Sequence, residues 1–223
     1  MKSGTTHAVI GDIHGRADRL ESVLQGIDPS RHLVFLGDYI DRGPSSKLVI
    51  DILIDLKRSW NAGCTFLRGN HEVGFLRYIS SGALTPYAAI GGLPTIKSYI
   101  GDRLNADIHK TLTESLPEAH YDFLDELVDY LESDDILFSH CGLDPYNPQG
   151  RSPVEMVLSD NPGLFDEDWS GSPDLVVCGH YVQDSGEPFL GRRLICLDTG
   201  CGVLPESPLT RLLLPEREPL TVS

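Results

Sequence analysis

The sequence predicts an α/β fold, on three observations. Short apolar runs alternate with amphipathic segments through the first third of the chain; glycine-rich polar clusters sit at the junctions; and strand-like runs return in the second half. Short, fully apolar strands that alternate with helices indicate βα units and a sheet covered on both faces. A chain of 223 residues, 40% hydrophobic and 23% charged, fits one domain with a real core and does not have the composition of a disordered segment.

The elements follow in order. Apolar runs at 8–10, 33–36 and 65–67 predict strands. Each leads into a polar cluster: Gly11-Asp12-Ile13-His14-Gly15, then Gly37-Asp38-Tyr39-Ile40-Asp41-Arg42-Gly43, then Gly69-Asn70-His71-Glu72. After the first cluster Leu20, Val23, Leu24 and Ile27 recur at helical spacing, and after the second Leu48, Ile52, Leu53 and Leu56 do the same. Gly82, Pro86, Gly91, Gly92 and Pro94 then mark loops. Tyr121, Leu124, Leu127, Val128 and Leu131 predict one face of a helix entered through Pro117-Glu118. The stretch 80–132 reads as a helical insert covering the site within a single domain, 1–223. Strands are expected again at 136–139, 175–178, 194–197 and 209–214. The stretch 144–173 reads as a long surface loop and 216–223 as a frayed tail.

Charge narrows the function classes. Thirty-three acidic against 18 basic residues give a net charge of −15, which disfavours nucleic-acid polymers and anionic membrane surfaces as partners. No apolar run approaches the roughly 20 residues that span a bilayer. The start, Met1-Lys2-Ser3-Gly4, carries no signal-peptide pattern. Five cysteines without a Cys-x-x-Cys pair fit reduced, buried thiols, Cys141 included. The expectation is a soluble cytoplasmic protein, monomeric by default since no coiled-coil pattern is present.

Asp12, His14, Asp38, Asn70, His140 and His180 all fall just beyond strand ends, where α/β proteins place ligands. Together they offer oxygen and imidazole nitrogen without thiolate, a set suited to Mn²⁺, Fe or Zn²⁺, and enough for two ions if one carboxylate bridges. Singly, each has a plainer role: Asp12 or Asp38 as a helix N-cap, Asn70 as a turn former, the histidines as satisfied groups at a core edge. Six coincidences at equivalent positions favour the metal.

These clusters resemble the signature of the phosphoprotein phosphatase branch of the calcineurin-like metallophosphoesterases, in its bacterial form. The likeness continues in Ser139-His140-Cys141-Gly142-Leu143-Asp144-Pro145, in Cys178-Gly179-His180 and in Asp198-Thr199-Gly200. The resemblance implies a four-layer sandwich of two mixed β-sheets flanked by helices. It also implies a centre of two divalent metals, Mn²⁺ first and Fe or Zn²⁺ as alternatives. Asp12 and His14 would bind one ion and Asn70, His140 and His180 the other, with Asp38 bridging and Asn70 also contacting phosphate. Asp41 and His71 match the family's acid pair and Arg42 its phosphate-binding arginine. Glu72 is given only the role of a helix N-terminal acid.

Two departures bear on substrate. The family's second phosphate-binding arginine, often near a Trp, has no counterpart in Phe165-Asp166-Glu167-Asp168-Trp169. Arg151, the one arginine between His140 and His180, is the candidate substitute, against a solvated loop arginine. Tyr181 follows His180 where bacterial relatives commonly have threonine. The resemblance therefore implies a phosphomonoesterase that acts through a metal-bridging water on phosphoserine or phosphothreonine, with phosphotyrosine as a further candidate, in proteins or on small phosphoesters. A dinucleoside polyphosphate hydrolase is the alternative. A non-catalytic scaffold that binds phosphoproteins is the lesser one, disfavoured by the presence of Asp41, Arg42 and His71.

Overall fold

Strand β1 (His7–Ile10) is buried along its whole length, and its pleat decides where each side chain goes. Ala8 and Ile10 face one core and Val9 another. Its parallel neighbour β2 (His32–Phe35) divides in the same way, Leu33 and Phe35 against Val34. The computed structural model describes residues 5–103, 107–204 and 206–223; residues 1–4, on which the reading of the N-terminus rests, lie outside them.

The first sheet continues with β3 (Cys64–Phe66), parallel to β2. On the other side lie β9 (Leu209–Leu214), antiparallel to β1, and β10 (Glu218–Val222), antiparallel to β9. Helices α1 (Ala17–Leu24), α2 (Ser46–Ser59) and α3 (Asn70–Ser81) cross over from these strands and bury Leu20, Val23, Val49, Leu53 and Phe75 against the sheet. Four further helices, α4 (Leu84–Ala89), α5 (Leu93–Ile100), α6 (Ile108–Ser115) and α7 (Glu118–Asp125), add Tyr87, Ile96, Leu112 and Phe123 to the same core.

The second sheet has the order β4 (Tyr130–Ser133), β5 (Ile136–Ser139), β6 (Leu175–Cys178), β8 (Leu194–Cys196), β7 (Phe189–Leu190), with β5, β6 and β8 parallel and the edges antiparallel. Phe138, Val177 and Ile195 meet Val9, Val34 and Leu212 between the sheets, while Leu137, Val176 and Leu194 face outward. That outer face is covered by Met156 and Val157 from a π-helical turn at Val154–Leu158, by Leu164 from a 3₁₀ turn at Pro162–Asp166, and by Trp169. The result is the expected α/β sandwich of two mixed sheets flanked by helical layers.

Three local readings are corrected. The stretch 144–173 is not simply a surface loop, because Met156, Val157, Leu164 and Trp169 are buried. The predicted helical face ending at Leu131 stops early: α7 ends at Asp125 and Leu131 lies in β4, paired with Phe138. The expected frayed tail is β10, whose backbone pairs with β9 from Glu218 to Val222. No helix among the described residues is long and apolar enough to cross a membrane.

Candidate metal centre

The strand-to-helix turns after β1, β2 and β3 and the turns after β5, β6 and β8 converge at one edge of the sandwich. Their backbones are bent into an unusual state. His14, Asp38, Asp41, Arg42 and His180 take φ values of 45°, 51°, 72°, 62° and 67°. Side chains other than glycine rarely accept this region, and it persists where surrounding contacts over-determine it. Those contacts are visible. The Ile13 and His14 N–H groups donate to Asp38 O, Gly43 N–H to His14 O, and His180 N–H to Asp12 Oδ2 at 3.0 Å. Gly69 is required by proximity: a Cβ there would lie 2.1 Å from Asp38 Oδ1.

Glu72 does more than its predicted helix-terminal role. It is fully buried, and its carboxylate accepts N–H bonds from Gly69 and Asp38 on one oxygen (3.0 and 2.9 Å) and from Tyr39 on the other (2.9 Å). It thus locks the loop bearing Asp38 to the start of α3.

The histidines present bare nitrogens to the cluster. His14 Nδ1 donates to Ile40 O at 2.9 Å and His140 Nδ1 to Leu36 O at 2.9 Å; since a carbonyl can only accept, each Nε2 keeps its lone pair. Burial pushes the His14 imidazole down to about 3 and that of His140 down to about 4, so both are neutral. His14 Nε2 lies 3.6 Å from Asp38 Oδ2, and His140 Nε2 lies 3.5 Å from Asp38 Oδ1 and 2.9 Å from Asn70 Oδ1. His180 Nδ1 is 3.1 Å from the same Asn70 oxygen. Burial pushes the Asp38 carboxyl up, but His140, His71 and His14 outweigh it and hold the group below the usual range. Asp12 is raised instead, by burial and then by Asp198 and Asp38.

This donor set fits divalent ions. Among the described residues the buried atoms Asp12 Oδ1 and His14 Nε2 have no hydrogen-bond partner. Asp12, Asp38 and His140 offer ligand atoms within 4.8 Å of one another, as do His14, Asp38 and His71, and His140, Cys141 and His180. Lone pairs converging in a dry cavity are costly unless a cation lies among them. Burial raises the Cys141 thiol well above its ordinary value.

Beside the cluster sits an acid pair. Asp41 Oδ2 accepts from His71 Nδ1 at 2.8 Å, while its Oδ1 accepts from Tyr87 Oη at 2.5 Å and Thr95 Oγ1 at 2.6 Å. Arg42 Nη2 lies 3.3 Å from His71 Nε2. Nothing in the local sequence of Tyr87 and Thr95 distinguishes them from other helix residues. Asp198 belongs to the Asp198-Thr199-Gly200 motif. It is buried beside Asp12, and burial pushes its carboxyl up to about 6.

Arg151 is not brought to the centre. Its Nε and Nη2 both lie 2.7 Å from Glu132 Oε1 on β4, and Nη1 donates to Pro148 O and Gly150 O. The arginine that meets Trp169 is Arg193, stacked on the indole at 4.5 Å and donating to the carbonyls of Gly171 and Pro173, a structural role. Tyr181 ties two segments together, its hydroxyl donating to Cys141 O and accepting from Asn161 N.

Comparison with known proteins bears on the whole of this arrangement. A family profile described as calcineurin-like phosphoesterase matches residues 6–184. A PP2A-like serine/threonine phosphatase of Candida albicans is 42% identical over 67 residues, which is 29% of this chain and 16% of that protein. The chain spans about a quarter or less of the length of such fungal relatives. An asymmetrical bis(5'-nucleosyl)-tetraphosphatase of Bacillus subtilis is 27% identical over 239 residues, covering 96% of this chain and 93% of its own. A crystal structure assigned to a diadenosine tetraphosphatase superposes with a TM-score of 0.63 at 21% identity, over 99% of this chain and 94% of the other, a likeness of fold.

Proposed function

This chain belongs to the calcineurin-like phosphoesterases, and on that premise we propose that it is a phosphomonoesterase acting on phosphoserine and phosphothreonine in proteins with two divalent ions, Mn²⁺ foremost. The observation that carries the reading is the arrangement of Asp41, His71 and Arg42 beside the metal-ligand cluster. In the proposed centre Asp12 and His14 would hold one ion and Asn70, His140 and His180 the other, with Asp38 shared between them. Bound there, the ions would supply Lewis acidity and would lower the pKa of a bound water toward about 7.

The chain's own groups do the rest. Arg42 offers a planar, permanently charged fork to two phosphoryl oxygens. His71 is the acid that protonates the leaving oxygen from Nε2. Burial pulls its pKa down, but Asp38 and Asp41 more than offset this and hold it above the ordinary value. Asp41, held by Tyr87 and Thr95, fixes the ring so that Nδ1 carries the other hydrogen.

A second reading, hydrolysis of dinucleoside polyphosphates, is favoured by one observation: the tetraphosphatase relative matches across nearly the full chain. The decisive experiment compares phosphate release from a phosphoserine peptide and turnover of diadenosine tetraphosphate by one Mn²⁺-loaded preparation. The first reading expects kcat/KM to be higher for the peptide; a marked preference for the dinucleotide overturns it. Absence of turnover of either, together with tight binding of a phosphopeptide, would indicate a scaffold.

A further inference from the structure

Two clefts flank the centre, and they differ in charge. The larger, about 870 Å³, reaches past Arg42 and is lined by Asp18, Glu21 and Glu206; its Arg16 is paired with Asp18 at 2.9 and 2.6 Å. The other, about 440 Å³, runs along α3 from Asn70 between Val73, Ile90, Leu158 and Tyr87. Among the described residues no carboxylate lines it, and the one charged residue there is Arg77.

Asn70, Gly74 and Arg77 lie on one face of α3, at i, i+4 and i+7. Gly74 weakens a helix interior, yet a Cβ there would meet Ile90 Cδ1 at 2.6 Å, so glycine is what lets Ile90 form the opposite wall. Tyr87, another wall, is the residue whose hydroxyl holds Asp41. The cleft therefore starts at Asn70, beside the metal-ligand cluster, and shares Tyr87 with the acid pair.

We propose that this cleft receives the leaving side of the substrate and selects phosphopeptides with a carboxylate about three residues from the phosphorylated one, paired with Arg77. The inference rests on the phosphomonoesterase reading above. Seven helical residues from Asn70 to Arg77 rise about 10 Å, the span of about three residues of extended peptide at roughly 3.3 Å each. The apolar walls take the side chains between. A chain of net charge −15 repels acidic peptides as a whole, so a cation in a carboxylate-free cleft is the feature that would admit one.

The test uses the full Mn²⁺-loaded chain and one phosphoserine peptide with Ala, Glu or Lys at the third position on either side. The readout is the ratio of kcat/KM between peptides, which cancels any general loss of activity. Glu on one side is expected to exceed Ala by about two- to fivefold, the value of one exposed ion pair. Arg77→Gln should bring that ratio to one, and Arg77→Glu should invert it in favour of Lys. Equal ratios in the wild type and both variants overturn the proposal. Turnover of an aryl phosphate with none of any phosphopeptide would overturn the phosphoprotein reading itself, and the proposal with it.

Discussion

At His71 two carboxylates reverse what burial would do, and the consequence can be read in kinetics. An acid that protonates the leaving oxygen acts in the transition state, so His71→Asn should lower kcat far more than it raises KM, by about 10²–10⁴-fold, with metal still bound. The loss should be small for aryl phosphates with acidic leaving groups and large for phosphoserine; an equal loss across leaving groups would mean that His71 orients ligands instead. Arg42 allows a different test, because its φ of 62° stores strain in the folded state. Arg42→Gly and Arg42→Ala both remove the phosphate fork and should both lose activity. The glycine variant should nonetheless be more stable than the alanine variant by about 1 kcal/mol, since only alanine keeps the left-handed penalty. Chemical denaturation of the pair checks it, and equal stabilities would show that the turn relaxes when the guanidinium is gone.

Helices α4 and α5 bring to the site what no motif announced. Tyr87 and Thr95 both donate to Asp41 Oδ1, and Asp41 N–H donates to Thr95 Oγ1 at 2.8 Å, so the acid pair is held by elements distant from it in sequence. Hydrogen bonds to a charged group are worth about 1.5–3 kcal/mol, so Thr95→Val and Tyr87→Phe should each lower kcat roughly tenfold or more through a misplaced His71. The same steep dependence on leaving group as in His71→Asn distinguishes this from simple destabilisation; a loss uniform across leaving groups would contradict it. These helices also show what was legible in the sequence. Asp12, His14, Asp38, Asn70, His140 and His180 could be found because each sits directly after an apolar strand, where the backbone alone aims it. Tyr87 and Thr95 reach Asp41 through tertiary packing, which leaves no local pattern. Leu131 misled because its helical spacing from Tyr121 is real, while the backbone leaves the helix at Asp125 and pairs with β5. The tail, largely exposed and containing Pro219, lacks the apolar alternation of a strand, and β10 forms by pairing with the already ordered edge of β9.

Across the whole molecule the centre lies on the seam between the two sheets. Asp12, His14, Asp38 and Asn70 come from the first sheet, and His140, His180 and Asp198 from the second. The carboxylates of this seam, Asp12, Asp38 and Asp198, are at most 2% exposed, and burial raises Asp12 and Asp198 against ionisation. Negative charge gathered in a dry place opposes folding unless cations share it, so metal should cross-link the two sheets and stabilise the fold, beyond any role in chemistry. A ligand at 100 times its Kd adds about 2.7 kcal/mol, which for a domain of this size corresponds to roughly 5–10 °C in Tm. Thermal unfolding in chelator and in excess Mn²⁺ should differ by that amount. Asp38→Asn should abolish most of the difference, because an amide shared by two cations neutralises neither. If the variant kept the full shift, the stabilising ions would be bound elsewhere, and the seam would have to be held by the apolar contacts of Val9, Val34, Phe138 and Val177 alone.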